Sequence, residues 1–472
     1  MSSSEAAPQR RSNLTLAAYA TPCLPLAALG LPLVVFLPNF YSDELGLSLT
    51  SVAAAFGAVR FIDMAFDPFI GGVMDRTRTR LGRFRLWFTI GVPLIVAAAA
   101  MLFLAQKGVT AFYLWAGLLL VYAGTSITGL AHVAWATVLC PEYDQRSRIF
   151  GWWQGANVVG VLLVLLLPTV IQQVLGGTNT DAIRAMGWSV VIFLPLATAF
   201  VLLKVPEPQP TQAAEKAGLK EYFGLLMRPI VGRILIVDLL LGTGPAITGA
   251  LFFFYFQAMK HFDKGQASVL LLIYFVAGLI GAPLWVRLAY KISKHRALVV
   301  AAVVYAVASA SVVLMPVGQF IGAALVMFAA GIPYSASAFL LRAMMADVGD
   351  DERLRTEVDQ TGLLYSMLTA TVKIGSAAAV LITLPILQAM GYVPGSQVAA
   401  RSEAAIGLDI MFCAAPAVLA LVGAAIIFGY PLTAEKHAEV RAKLASRDAE
   451  EAEAILGGEP LTTDEAHVPT AH

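Results

Sequence analysis

Long apolar runs, repeated along the chain, constrain its fold more than any other feature. Runs of about 20 apolar residues occur about twelve times, and a helix of that length crosses the roughly 30 Å hydrocarbon core of a bilayer. Because a membrane-spanning backbone must satisfy its own hydrogen bonds, only helices and closed barrels span bilayers. The runs predict an all-α integral membrane protein.

The composition excludes an ordinary soluble protein. Of the 472 residues, 58% are hydrophobic and 13% are charged, whereas soluble domains carry about 45–50% apolar and about 25% charged residues. The net charge of +1 gives no electrostatic argument for a nucleic-acid partner. Cys23, Cys140 and Cys413 lie in or beside apolar runs, which predicts packing as small apolar side chains and no disulfide or zinc site.

The runs form two groups of six. The predicted spans lie near 14–39, 46–72, 86–106, 111–139, 149–174 and 184–203, and then near 229–258, 267–290, 297–316, 320–345, 358–390 and 404–430. Between the groups lies a polar stretch that begins VPEPQPTQAAEKAG. The predicted organisation is an N-terminal tail, a six-helix bundle, a linker, a second six-helix bundle and an acidic tail, at 1–13, 14–204, 205–228, 229–430 and 431–472.

The distribution of Lys and Arg predicts the orientation in the membrane. One set of alternate loops is rich in basic residues: Arg76, Arg78, Arg80, Arg83, Arg85, Arg146, Arg148, Lys204, Lys216, Lys220, Lys291, Lys294, Arg296, Arg353 and Arg355. The opposite set holds only Lys107, Arg184, Lys260, Lys264 and Arg401. Basic residues accumulate in cytoplasmic loops, so we expect both termini to be cytoplasmic in a multi-pass protein of the inner (plasma) membrane.

Three charged residues interrupt the second run. Its sequence VRFIDMAFDPFIGG contains Arg60, Asp63 and Asp67 at spacings of three and four residues, so all three lie on one helix face. A charge at the bilayer centre costs about 2.5–3.5 kcal/mol on insertion scales and usually faces a cavity or a partner. The stripe predicts a polar cavity in which a proton or a metal ion neutralises the acids. The alternative is an Arg60 ion pair that only fixes helix packing.

The fourth run carries polar and aromatic residues within TSITGLAHVAW. Thr125 and Thr128 offer hydroxyl oxygens for a small cation, and His132 and Trp135 lie about one turn apart on a similar face. The Trp135 ring suits a sugar or another flat apolar ligand. Alternatively, the threonines bond to their own backbone and His132 only packs.

The eleventh run contains a single cation, Lys373, in LTATVKIGSAAAV. It lies too deep to reach the membrane surface easily, so we expect it to pair with Asp63 or Asp67 of the other half. Asp238, an acid in the seventh run, follows Arg233 by about one and a half helical turns. We expect these two residues to form a local pair.

The loops after the second and eighth runs share a glycine, a short spacer and a basic cluster, in GGVMDRTRTRLGRFR and GAPLWVRLAYKISKHR. With the two groups of six spans and the central linker, this symmetry resembles the major facilitator superfamily, whose halves rock about a site near the midplane. We expect Gly71, Asp75, Arg76 and Arg80 to lie at the gating interface. A solvated, positive-inside turn is the alternative.

A more specific resemblance is to the glycoside-pentoside-hexuronide:cation symporters, the melibiose permease group of that superfamily. It covers Ser12 to about Pro431. It rests on FYSDELGLS, the D-x-x-x-D-P of Asp63 to Pro68, DRTRTRLGRFR, the W-x-x-x-x-x-P-E-Y-D-x-R-S-R of Trp135 to Arg148, ADVGDDE, and TVKIGSA with a following GYVPG.

The resemblance implies roles for particular residues. Asp63 and Asp67 are expected to bind the coupling cation, Thr128 to supply a further ligand, and Lys373 to lie beside that site. The aromatic residue that the family places against the sugar matches Trp135. Independently of the resemblance, the positions of Arg60 beside the acids and of His132 and Thr125 in the fourth run predict a neighbour of the cation site and two contributors to the solute site.

The chain departs from the family pattern at three positions. Sugar-binding members carry acids where this chain has Ala27 and Ala131, and many carry an Asn where this chain has Phe66. The first departure leaves open a more apolar, lipid-like solute beside a glycoside, oligosaccharide or hexuronide. The second leaves Na⁺, H⁺ and Li⁺ as candidate coupling ions.

The sequence therefore predicts a cation-coupled symporter with the major facilitator fold, working by alternating access. Its expected partners are a small sugar-type solute, a monovalent cation or proton and the lipid bilayer, with no cofactor besides the coupling ion. We expect no enzymatic activity, because the sequence has no G-x-x-x-x-G-K-[ST], no H-E-x-x-H and no G-x-S-x-G motif in a credible setting. A membrane sensor that binds its ligand without moving it is the remaining alternative.

Overall fold

The computed structural model describes residues 11–77, 79, 81–140, 143–207, 219–358, 360–399 and 402–457. The regular elements of this part of the chain are all helical, which confirms the all-α prediction. Eleven helical segments in it have the length and apolarity needed to cross a membrane.

The N-terminal bundle consists of seven helices. They are α1 (Asn13–Ala20), α2 (Cys23–Asn39), α3 (Leu49–Arg76), α4 (Arg83–Phe103), α5 (Ala111–Leu139), α6 (Tyr143–Thr169) and α7 (Asn179–Lys204). The π-helical turns Phe40–Glu44 and Val170–Val174 extend α2 and α6. The first predicted span is α1 and α2 together, so the bundle has six spans.

The linker contains α8 (Leu219–Leu226), and the C-terminal bundle follows it. The bundle comprises α9 (Pro229–Ala258), α10 (Lys264–Ile292), α11 (Lys294–Ser311), α12 (Phe320–Gly331), α13 (Tyr334–Thr356), α14 (Thr361–Ala389), α15 (Glu403–Asp409) and α16 (Ala415–Phe428). A 3₁₀ turn, Val312–Leu314, extends α11, and a π-helical turn, Ile410–Ala414, joins α15 to α16. The pairs α12–α13 and α15–α16 each form one span.

The twelfth span is α3, which is long enough to cross a bilayer. It is 28 residues long and carries Arg60, Asp63 and Asp67 in its middle. A helix of this kind needs partners for its charges inside the protein.

The span ends are set by side chains that satisfy free backbone N–H groups. The Ser48 hydroxyl accepts from the N–H of Ser51 at the start of α3. Reciprocal capping pairs begin two other helices: Thr178 with Asp181 at α7 and Asp263 with Gln266 at α10. Caps of this kind are typically worth about 1 kcal/mol each and fix where each span leaves the bundle.

The buried apolar residues form two clusters that show where the bundles meet. We call the end at which α1 begins and against which α17 packs proximal, and the end with the α2–α3 and α9–α10 loops distal. The larger cluster fills the N-terminal bundle and continues into the distal part of the C-terminal bundle, at Phe253, Leu271 and Leu384. The smaller cluster, with Leu235 and Met344, is confined to the proximal part of the C-terminal bundle. Among the described residues, the apolar core that is shared by the two bundles therefore lies at the distal end.

Direct contacts agree with this division. At the distal end, the Phe36 and Phe253 rings lie 4.8 Å apart between centroids. The amide and hydroxyl of Thr50 both donate to Gln388 Oε1, at 2.8 and 2.9 Å. Each of these contacts joins one bundle to the other.

The C-terminal tail contains α17 (Ala434–Gly457), which packs against α13. Val440 and Leu444 are buried on this helix, and His437 Nε2 lies 2.9 Å from Asp350 Oδ2. Cys23, Cys140 and Cys413 are all buried, in agreement with the prediction that they pack as small apolar side chains.

The crossing of α6 and α2 depends on a glycine. A Cβ at Gly160 would lie almost on the Leu24 carbonyl oxygen and 2.9 Å from the Leu24 Cα, whereas a Cβ at Gly155 of the same helix meets no atom within 4 Å. We expect Gly160→Ala to lower the midpoint of thermal unfolding in detergent, because overpacking typically costs about 1–3 kcal/mol. Gly155→Ala, the matched control, should leave the midpoint unchanged or raise it. Equal midpoints for the two variants would contradict this account of the crossing.

Candidate functional site

The charged stripe of α3 faces α14 of the opposite bundle. Lys373 Nζ lies 2.9 Å from Asp63 Oδ2 and 2.5 Å from Asp67 Oδ2. Arg60 Nη1 lies 3.6 Å from Asp63 Oδ2 within the stripe. The pairing of Lys373 with an acid of the other half is thus present as predicted, and both acids take part. We call Arg60, Asp63, Asp67 and Lys373 the midplane cluster.

Helix α5 completes the surroundings of Asp63. The Ser126 hydroxyl donates to Asp63 Oδ1 at 2.7 Å, and the Arg60 guanidinium lies 4.2 Å from the centre of the Tyr122 ring. The sequence prediction did not include Ser126, although this residue lies between Thr125 and Thr128. The available signal was helical geometry, because Tyr122 and Ser126 are four residues apart and so share a face.

The midplane cluster balances its own charge. The Asp63 side chain is 1% exposed and Asp67 27%, while Lys373 is 20% and Arg60 15% exposed. Two carboxylates therefore face two cations in a largely buried setting, where unpaired charges would be costly. Asp67 Oδ1 is buried and accepts no hydrogen bond from the described residues, which leaves an oxygen available to a further ligand.

In the described part of the chain, no hydrogen bond joins the two threonines of α5 to the acids. Thr125 donates to the carbonyls of Val121 and Tyr122 in its own helix, at 2.8 and 3.0 Å. Thr128 is fully buried, and its hydroxyl lies against Gly91 of α4 without a hydrogen bond to any described residue. Thr125 thus shows the backbone-bonded alternative, and the role of Thr128 as a cation ligand stays a prediction.

His132 and Trp135 lie inside the N-terminal bundle. One ring nitrogen of His132 is 3.0 Å from the Tyr19 carbonyl oxygen. Trp135 is fully buried, packs against Tyr19 and Phe88, and donates from Nε1 to the Pro206 carbonyl at 3.0 Å. In this conformation both rings are packing residues, and neither offers a free face to a solute.

The predicted pair of Asp238 and Arg233 is wrong. Asp238 accepts a hydrogen bond from the Thr371 hydroxyl of α14, while Arg233 donates from Nη1 to the Gly429 carbonyl at 2.5 Å. Side chains five residues apart on a helix project in different directions, so tertiary neighbours determine their partners. Asp238 thereby joins α9 to the same helix that carries Lys373.

The predicted gating residues are only partly described. Gly71 lies on α3, and a Cβ built there would meet no atom within 4 Å. The side chains of Asp75 and Arg76 and the whole of Arg80 lie outside the described part of the chain. The gating role of this motif stays a prediction.

Comparison with known proteins gives a family match over most of the chain. The model of the family described as MFS/sugar transport protein matches residues 18–434. The glucuronide carrier protein homolog of Escherichia coli is 24% identical over 88% of this chain and 91% of its own length. The putative glycoside/cation symporter YagG of the same species is 24% identical over 89% and 92%. The isoprimeverose transporter of Lactiplantibacillus pentosus is 22% identical over 80% of each chain.

Solved structures share the fold. The nucleoside transporter NupG superimposes with a TM-score of 0.63 at 14% identity, covering 89% of this chain and 100% of NupG. A bacterial homolog of the human lysosomal transporter Spinster, in an inward-facing and occupied conformation, superimposes with a TM-score of 0.65 at 16% identity, covering 92% and 99%. These likenesses confirm the major facilitator fold.

The hydrogen bond from Ser126 should stabilise the buried Asp63 carboxylate. A bond to a charged group contributes about 1.5–3 kcal/mol, so we expect Ser126→Ala to lower the thermal unfolding midpoint in detergent at neutral pH. Thr125→Val is the matched control, because the Thr125 hydroxyl bonds only to its own helix, and it should have little effect. If Thr125→Val lowered the midpoint as much as Ser126→Ala, the hydrogen bond from Ser126 to Asp63 would have no specific stabilising role.

Proposed function

The chain belongs to the MFS/sugar transport protein family, and from that premise we propose that it is a cation-coupled symporter of a glycoside, oligosaccharide or hexuronide. The main support is the midplane cluster, in which two acids of one bundle meet a lysine of the other. A cation that binds at these acids acts directly on the contact between the bundles. Such a site can couple ion binding to the alternation of access.

The charge balance of the cluster defines how a cation binds. With Arg60 and Lys373 charged, the two carboxylates are already neutralised, and a third positive charge is unfavourable in a low-dielectric interior. Sodium, lithium or a proton must therefore compete with Lys373 for the oxygens of Asp63 and Asp67. Cation binding releases Lys373 from the acids of α3 and weakens the contact between the bundles at the midplane cluster.

We propose a small monovalent cation as the coupling ion. Carboxylate and hydroxyl oxygens suit hard cations, and the cluster offers Asp67 Oδ1 with the Ser126 hydroxyl nearby on Asp63. Movement of one charge down about 100 mV supplies roughly 2.3 kcal/mol, which concentrates a neutral solute by roughly fifty-fold. A proton on one of the acids would use the same site.

The relatives support the proposed solute class. Their names refer to a glucuronide, glycosides and isoprimeverose, which share a sugar ring. A screen of sugars, glycosides and uronides for thermal stabilisation, with the cation present, tests this class directly. Uptake of the stabilising compound into proteoliposomes then distinguishes a transporter from a sensor, because a sensor binds its ligand without moving it.

We propose that the proximal end faces the cytoplasm of a bacterial cell. The basic loops between spans lie at this end, as the distribution of cytoplasmic Lys and Arg requires. Because the apolar core that the described residues share between the bundles lies at the distal end, we infer that the midplane cluster is accessible from the cytoplasm, as in an inward-open state of the cycle.

The cation site can be tested without knowing the solute. We expect Na⁺ or Li⁺, replacing choline at constant ionic strength, to raise the thermal midpoint of the purified protein, because a ligand that binds only the folded state stabilises it. Asp63→Asn and Asp67→Asn should each abolish the rise, whereas Glu439→Gln, on the exposed tail helix, should retain it. A pH-dependent shift that the same variants remove would identify a proton instead, and no response to ions or pH would contradict cation coupling.

Competition between Lys373 and the cation predicts an unusual gain of affinity. Lys373→Met leaves the cluster one positive charge short, so the apparent cation affinity should rise by about tenfold or more. Arg287→Met, which removes an exposed cation of the same bundle, is the control and should not change the affinity. An unaltered affinity in Lys373→Met would make this lysine a packing residue only.

A further inference from the structure

A second group of charges joins the bundles at the distal end, about the length of half a span from the midplane cluster. Lys264 begins α10 in the C-terminal bundle. Its Nζ lies 3.0 Å from Glu44 Oε1 and 3.4 Å from Asp43 Oδ2, both in the π-helical turn at the end of α2 in the N-terminal bundle. The FYSDELGLS segment therefore supplies the acids of an ion pair between the bundles.

The two acids are held in place by their own bundle. Glu44 accepts hydrogen bonds from Asn179 Nδ2 at 2.5 Å and from the Thr180 hydroxyl at the start of α7. Asp43 Oδ2 accepts from Asn39 Nδ2 at 3.1 Å. These bonds remain within the N-terminal bundle, so the acids keep their positions whether or not Lys264 is present.

The backbone that carries Lys264 is likewise fixed by its bundle. The capping pair of Asp263 and Gln266 starts α10 at this point, and the Lys264 carbonyl accepts from the Ser268 hydroxyl at 2.8 Å. The ion pair is also shielded from water, since the Asp43 side chain is 5% exposed, Lys264 18% and Glu44 21%. Partly buried charge pairs are screened less by salt than exposed ones, so this contact can contribute to the closure energy.

The location of the ion pair determines what it does. It lies at the end where the apolar cores of the two bundles are continuous and where Thr50 bonds to Gln388. Two acids that are held in place on one bundle and a lysine at a fixed helix start of the other form a contact that can separate and re-form as the bundles rotate.

We propose that Lys264 is a positioning residue of the transport cycle, and that with Asp43 and Glu44 it forms an ionic latch that keeps the distal entrance closed. The latch must open each time the solute site becomes accessible from the distal side. It rests on the proposed alternating access, and it acts through the equilibrium between the two states without touching solute or coupling ion.

The test measures opening of the distal entrance directly. Val35 is 3% exposed, and its Cγ2 lies 3.4 Å from the Cβ position of Gly249 in the other bundle. Val35→Cys therefore places a thiol in the buried contact between the two bundles. With the three buried native cysteines replaced by Ala, alkylation of that thiol by a maleimide in detergent reports how often the entrance opens.

We expect Lys264→Glu to raise the alkylation rate by about tenfold or more, a coupling effect of ordinary size. Glu44→Lys should do the same, because it places two lysines together. The double exchange, Lys264→Glu with Glu44→Lys, should return the rate towards that of the parent. Lys107→Glu makes the same charge change in an exposed loop at the same end and should leave the rate unchanged.

The outcomes separate the latch from the proposed function. An unchanged rate in Lys264→Glu would overturn the latch. A raised rate that the exchange does not lower would indicate local damage and would also overturn it, with the thermal midpoint showing which variants remain folded. Because alkylation needs no sugar and no sodium, these results hold even if the cation-dependence measurements fail.

Discussion

A buried carboxylate in a membrane-spanning helix needs a positive partner, and here the partner of Asp63 comes from the other half of the molecule. The Asp63 side chain is 1% exposed and lies 2.9 Å from Lys373 Nζ. The free energy of inserting either charged side chain into a bilayer without a partner is unfavourable. The electrostatic requirement of one helix thereby becomes a contact between bundles, and the separation of the bundles depends on what neutralises the acids.

The contacts between the bundles differ in character along the membrane normal. The distal end combines a continuous apolar core with the Thr50–Gln388 bonds and the Lys264 ion pair. At mid-depth the link is ionic, through Lys373. Apolar packing is insensitive to a bound cation, whereas in an ion pair a bound cation can replace the lysine at the carboxylates. A coupling ion can therefore act at mid-depth while the distal contacts set the energy of closure.

Sequence reasoning identified the helix that carries the charges but not all of their partners. Spacing alone placed Arg60, Asp63 and Asp67 on one face, and burial of a lone cation indicated Lys373 as their partner. Ser126 and the Thr371 partner of Asp238 were missed, because they depend on how α5 and α9 are rotated against their neighbours. The sequence predicts a solute-binding role for Trp135, but its side chain lies in the packed interior. A tryptophan on a helix can occupy either environment, so its position in the sequence does not distinguish them.

The sequence by itself determined the membrane class, the two groups of six spans and the intramembrane charges, because hydrophobic length and helical periodicity are local properties of the chain. The location of the shared apolar core at the distal end, the joining of Asp63, Asp67 and Lys373 in one cluster, and the meeting of Asp43 and Glu44 with Lys264 were decided only by the tertiary structure. Each of these depends on contacts between residues more than about 200 positions apart, and no local pattern encodes the rotation and tilt that bring such residues together.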